Sequence, residues 1–296
     1  MLFPYMGEVF SVLTAVAWAF GVILFKKSGE TMHPVALNIV KNLLAFVLII
    51  PTMMVMGEAF MIPCSRENYL LLLASGVLGI GISDTLFFRA LNLMGAGLSA
   101  IVDCLYSPFV IGLSILFIGE TLSLPQTLGA IAIVSAVLVA ANRGARATVS
   151  KADMMKGLVY GVSAMFTLAV GIVMIKPILC DLPVLWVVQV RLLGGLATLA
   201  VYMAYRRDRR RIFSSIGIGR GWVYALSGSV VGYYIALTLW MAGFKYTQAC
   251  VSAALNQTST IFIFIFSALF LKEPMNRQRI LAAAMGIGGS FALVLL

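Results

Sequence analysis

The sequence is a succession of apolar runs, each close to the length that crosses a bilayer and each ended by a short polar loop. A helix needs about 20 apolar residues to span the hydrocarbon layer. Ten stretches approach or exceed that length: 8–25, 35–56, 69–88, 96–118, 125–141, 157–175, 184–205, 221–241, 248–271 and 279–296. Lipid offers backbone N–H and C=O groups no partner, so such runs are expected to be α-helices. Composition points the same way. The chain is 61% hydrophobic and 11% charged, with mean hydropathy +1.03, whereas a soluble domain is about half apolar and a quarter charged. The expected fold class is all-α integral membrane, with ten transmembrane helices. The first run is full length and opens on Glu8, so it reads as a span and not as a cleavable signal peptide.

The net charge is +10. In a soluble chain that excess suggests nucleic acid. Here the basic residues crowd into short loops, where they act as topology signals and contacts for anionic headgroups. Membrane lipids are therefore expected partners and nucleic acid is not. Loops after the odd-numbered spans hold sixteen Lys and Arg, while those on the other side hold Arg66, Lys176 and Lys245. The positive-inside bias places both termini away from the cytoplasm, in a bacterial-type inner membrane. The four cysteines show no C-x-x-C spacing, so free thiols are expected. The single histidine, His33 beside Pro34, reads as a solvated turn residue and leaves no metal cluster. No G-x-x-x-x-G-K-[ST] loop is present, so ATP is not the expected driver. No cofactor and no enzyme chemistry are expected.

The two halves repeat. An offset of 150 takes Lys26 to Lys176 and Lys41 to Arg191. An offset of 153 takes Gly79 to Gly232, Ala96 to Ala249, Asp103 to Asn256 and Glu120 to Glu273. Residues 1–142 and 157–296 therefore read as two copies of a five-helix unit. An odd number of helices per unit inverts the second copy, a plan that secondary transporters use around a midplane site.

Ordered motifs accompany the repeat: Trp18, Gly21, Lys26, Pro34 and Lys41, then Ala90-Leu91, Ala100, Pro108 and Gly119-Glu120, with Lys176, Pro183, Arg191 and Leu271 to Pro274 in the second copy. Over nearly its whole length the chain resembles the EamA family of the drug/metabolite transporter superfamily. The resemblance implies a transporter or exporter of small organic metabolites, amino-acid-like or drug-like. Asp103 stands where the family usually has an apolar residue, and Lys41 where it usually has Arg.

Embedded polar residues supply the candidate site. A carboxylate within a span costs about 2.5–3.5 kcal/mol on insertion scales, so it must face a cavity, a partner or a proton. Asp103 shares a helix face with Tyr106 and Ser107, and Asn256, Gln257, Ser259 and Thr260 form the matching patch in the ninth span. Asp103, Tyr106, Asn256, Gln257 and Ser259, with Trp18 and Tyr234, are the candidate substrate-binding residues. Gluing helices together is the competing role for such a patch. Asp84, Asp103, Lys41 and Arg191 sum to zero charge and are candidates for proton coupling or ion pairing. Asp84, placed near the end of the third span, reads as a snorkelled acid beside Arg89 or a second cavity acid. Lys41 and Arg191 have stems long enough to snorkel. Glu120 and Glu273 read as caps or loop ion pairs, and Gly79 and Gly232 as close helix contacts. The expected function is alternating-access transport of a small molecule by a monomer or weak dimer, with proton coupling open. A flippase for an amphiphilic substrate and a non-transport membrane protein are the other readings.

Overall fold

The structure is a computed structural model that describes residues 5–118, 150–217, 219–247 and 249–273, with scattered positions within 124–135 and 277–289. The fifth and tenth expected spans and Glu120 lie outside the described residues, those scattered positions apart. Every regular element among the described residues is helical. Six helices are long and apolar enough to cross a membrane. They are α1 (Met6–Ser28), α2 (Pro34–Met56), α3 (Arg66–Asp103), α5 (Lys151–Val173), α7 (Val184–Tyr205) and α9 (Arg220–Tyr246). Shorter helices are α4 (Tyr106–Ile118), α6 (Lys176–Leu179), α8 (Arg209–Ser214), α10 (Ala249–Gln257) and α11 (Ser259–Phe270).

The helices turn their polar faces inward. In α2, Asn38, Lys41, Asn42 and Ile49 are buried, while Leu43, Val47 and Met54 are exposed on the opposite side. That is the distribution expected when lipid, and not water, is the solvent. His33 is not a free turn residue. It precedes α2, and its Nδ1 accepts the Val35 N–H at 3.2 Å, as an N-cap does. Partial burial and the nearby Arg89 charge hold its pKa below the usual histidine value.

The third and fourth expected spans are separated by one residue and not by a loop. α3 runs on past Phe88 and bends at Gly95, whose φ of 82° suits glycine. The polar residues that suggested a loop are accommodated inside the fold: Arg89 Nη2 donates to Tyr202 Oη at 3.2 Å. Beyond the bend, the Glu273 carboxylate accepts the N–H groups of Ala96 at 2.8 Å and Gly97 at 3.0 Å. An acid at the start of a helical segment satisfies donors that have no intrahelical acceptor.

Matched positions of the two halves behave alike. The helical turn widens to π spacing over Val77–Ile82 in α3 and Gly228–Ile235 in α9. Such wide turns free carbonyls and recur at functional sites; here Asn38 Nδ2 donates to the freed Ile80 carbonyl at 3.1 Å. Lys26 Nζ donates to the Asn92 carbonyl at 3.3 Å, and Lys176 Nζ to the carbonyls of Phe244 and Thr247. α1 packs on α9, and α5 packs on α3. Gly21 of α1 meets Gly232 of α9 backbone to backbone, so a Cβ on either would overlap the other's Cα. Gly79 sits against Gly171, yet an added Cβ there would first meet the Arg191 side chain, at 3.0 Å. Gly232→Ala is therefore expected to cost about 1–3 kcal/mol, because neither backbone can yield. Gly112, with nothing within 4 Å of an added Cβ, is the control. Thermal melting in detergent should show a clear loss for the first change and almost none for Gly112→Ala; equal melting temperatures would place Gly232 outside the seam.

Candidate functional site

Two helix breaks face one another at the centre of the described fold. The chain turns at Cys104–Leu105, between α3 and α4, and at Thr258, between α10 and α11. The reason is local chemistry. Pro108 cannot donate to the carbonyl of Cys104, and Thr258 and Ser259 bring hydroxyls that compete for backbone groups; Thr258 Oγ1 donates to the Leu255 carbonyl at 2.6 Å. Reciprocal bonds tie the breaks together. Ser107 Oγ donates to the Ala253 carbonyl at 3.5 Å, and Thr260 Oγ1 donates to the Ala100 carbonyl at 3.4 Å. Donors and acceptors are related by the same offset of 153 that links Asp103 to Asn256, so the contact is self-complementary between the halves. Gln257 Nε2 adds a bond to the Asp103 carbonyl at 3.4 Å.

Beside these breaks lies a cavity of about 120 Å³. Its walls come from α1, α3, α4, α5, α7, α9, α10 and α11. Trp18, Phe87, Tyr233 and Trp240 give it aromatic walls, and Asp84, Asp103, Arg191 and Asn256 give it polar ones. Of the residues singled out from sequence, Trp18, Asp84, Asp103, Tyr106, Arg191, Asn256, Gln257 and Ser259 line it together. Tyr234 does not. Its hydroxyl meets Thr52 Oγ1 at 2.5 Å on the other side of α9, and its neighbour Tyr233 takes the cavity position. Phe20 and Phe166 are exposed on the outer surface. Thr14, Ser83 and Met165 line the cavity without having been singled out.

The charged groups divide into a pair and two singles. Lys41 is fully buried just behind the cavity wall, with Nζ 2.6 Å from Asp84 Oδ2 and 3.2 Å from the centroid of the Tyr233 ring. Tyr233 Oη donates to the same Oδ2 at 3.5 Å. Lys41 therefore does not snorkel, and Asp84 does not pair with Arg89. Asp84 sits well inside α3, because that helix continues to Gly95. Arg191 is 1% exposed and has no carboxylate partner among the described residues. Its Nη1 faces Met241 Sδ at 2.9 Å, its guanidinium lies 5.5 Å from the Trp240 ring, and its Nε is without a partner. Asp103 likewise forms no ion pair among the described residues. Around these two, the Tyr106 hydroxyl, both amide atoms of Asn256 and Oε1 of Gln257 are buried and unpartnered. Buried polar atoms are nearly always satisfied in native folds, so a cluster of orphans on one cavity wall marks groups whose partner is a solute or water.

Among the described residues no His, Cys, Asp and Glu cluster could hold a metal. Cys64, Cys104 and Cys180 are free thiols; the side chain of Cys250 lies outside the described residues. A sequence profile of the EamA-like transporter family matches residues 5–142 and again 155–295. A protein of Archaeoglobus fulgidus described as an uncharacterized transporter is 26% identical over 268 residues, covering 90% of each chain. A solved crystal structure is similar in fold, with a TM-score of 0.73 at 15% identity, covering 98% of this chain and 96% of its own. The apolar helices make the chain a multi-pass membrane protein, and family and relative alike point to a transporter rather than an enzyme. With the family profile matched twice across nearly its whole length, the chain belongs to the EamA-like transporter family.

Proposed function

We propose that the chain is a secondary transporter that moves a small organic solute through the cavity between two inverted five-helix units, opening it to each side in turn. One observation carries the reading: the self-complementary contact of the two helix breaks, Ser107 on Ala253 and Thr260 on Ala100, at the edge of the cavity. Broken helices around a midplane site, in repeats related by a two-fold axis, are the architecture of alternating access. Residues 1–142 and 157–296 are the proposed units, ten spans in all, with residues 125–141 and 279–296 completing them. The excess of Lys and Arg after odd-numbered spans supports termini outside the cytoplasm and residence in an inner membrane. Export from the cytoplasm is the proposed direction. A cavity of about 120 Å³ suits a small metabolite; drug-sized ligands occupy pockets of roughly 300–1,000 Å³. Asp103, the cavity acid that no base neutralises, is the proposed group for solute or proton binding.

The test is release from proteoliposomes. Vesicles loaded with a mixture of amino acids, small organic acids and amines are diluted into buffer, and the released solutes are identified by mass spectrometry. The expected result is protein-dependent release of at least one solute, lowered at least tenfold by Asp103→Asn at unchanged melting temperature. Identical release from protein-free vesicles for every solute would contradict transport of these classes.

A further inference from the structure

We propose that the cavity recognises a small zwitterion, with the solute's anionic group on the Arg191 guanidinium and its cationic group on the Asp103 carboxylate. The inference rests on the transport reading and adds the chemical class of its solute. The two charges lie on one cavity, and neither is neutralised by the protein. The acid nearest to Arg191 in charge terms, Asp84, is already committed to Lys41 at 2.6 Å. Arg191 is left with a thioether, an aromatic ring and an unpartnered Nε. A guanidinium carries five donors in a planar fork that fits a carboxylate or phosphate. A buried charge with no partner is costly, and an anionic group from the solute removes that cost.

The opposite preference holds at Asp103. It is the last residue of α3, where the chain breaks. The carbonyl end of a helical segment favours positive charge, and its own carboxylate reinforces that preference. Tyr106, whose hydroxyl has no partner, is within electrostatic reach of both Arg191 and Asp103. It can donate to the anionic group or accept from the cationic one. The unpartnered amide of Asn256 offers both a donor and an acceptor. Lys41 and Asp84 cancel, so the remaining cavity charges are one of each sign. A zwitterion therefore enters without adding net charge to the low-dielectric interior, whereas a simple amine or acid leaves one protein charge stranded. Trp18, Phe87 and Trp240 supply apolar surface for the body of the solute.

Calorimetric binding to the purified full chain at pH 7 separates the contributions. The probes are L-leucine, 6-aminohexanoate, isoamylamine, which lacks the carboxylate, and 4-methylpentanoate, which lacks the amine. We expect L-leucine or 6-aminohexanoate to bind at least tenfold more tightly than both singly charged probes; the better of the two reports the spacing of the charges. Arg191→Gln should bring L-leucine down to the level of isoamylamine, and Asp103→Asn should bring it down to that of 4-methylpentanoate. A singly charged probe that binds as tightly as the zwitterions overturns the proposal, as does the failure of both zwitterions to bind. The parental chain alone decides this, so a variant that misfolds does not obscure the answer. Release of an amine or acid without any zwitterion in the vesicle assay would sink the proposal and leave transport standing. Zwitterion binding with no release of any solute would do the reverse.

Discussion

Asp84→Leu is expected to destabilise the fold by about 3–5 kcal/mol, the usual penalty for stranding one member of a buried ion pair. The stranded group is Lys41, which is fully buried with its ammonium between the Asp84 carboxylate and the Tyr233 ring. Cation–π attraction offsets only about 2 kcal/mol even when desolvated. Lys41→Met should cost less, because the abandoned Asp84 carboxylate keeps 13% exposure towards the cavity. Combining both changes should recover most of the loss, since an apolar pair can replace a buried ionic one at little net cost. Chemical or thermal unfolding in detergent gives the three values. If Asp84→Leu melts with the parent, the pair is not formed in the folded protein.

Arg191→Met should produce the opposite pattern. Removing this charge leaves no described carboxylate without its counter-ion, so stability is expected to stay level or rise. Transport is expected to fall roughly tenfold to a hundredfold, the equivalent of about 1.5–3 kcal/mol for a lost charge-assisted hydrogen bond. Initial rates of solute release, set beside the melting temperature, separate the two quantities. A large drop in melting temperature with normal rates would make Arg191 a structural prop for α9, held by Met241 and Trp240, and not a solute contact.

Lys41 and Arg191 show what a sequence can and cannot reveal about such a site. They are matched by the offset of 150 and equally embedded, so from the sequence both read as paired or snorkelled. The difference lies in the neighbours. Asp84 comes from α3 and reaches Lys41, and this required knowing that α3 passes straight through Arg89 and Asn92. The apolar run falters there, and the expected span accordingly stopped at residue 88. Asp103 and Asn256 were legible because an acid inside an apolar run is costly and because the repeat placed a second polar residue at the matching depth. Choosing between Tyr233 and Tyr234 was beyond the pattern. Adjacent residues differ by about 100° around a helix, and both sit in the widened turn of Gly228–Ile235, which shifts the phase of every face after it. Trp18 needed no such phasing, since α1 is regular from Met6 to Ser28.

Accessibility of the cavity from both sides of the membrane tests the central claim most directly. In a chain whose four cysteines are replaced by serine, Asn256→Cys places a thiol on the cavity wall. The variant is reconstituted in one orientation, and a membrane-impermeant maleimide is applied first outside and then inside the vesicles. Alternating access predicts labelling from each side, with a saturating transported solute slowing or redistributing it. Labelling confined to one side, at a rate no solute changes, would contradict a site that opens to both faces in turn.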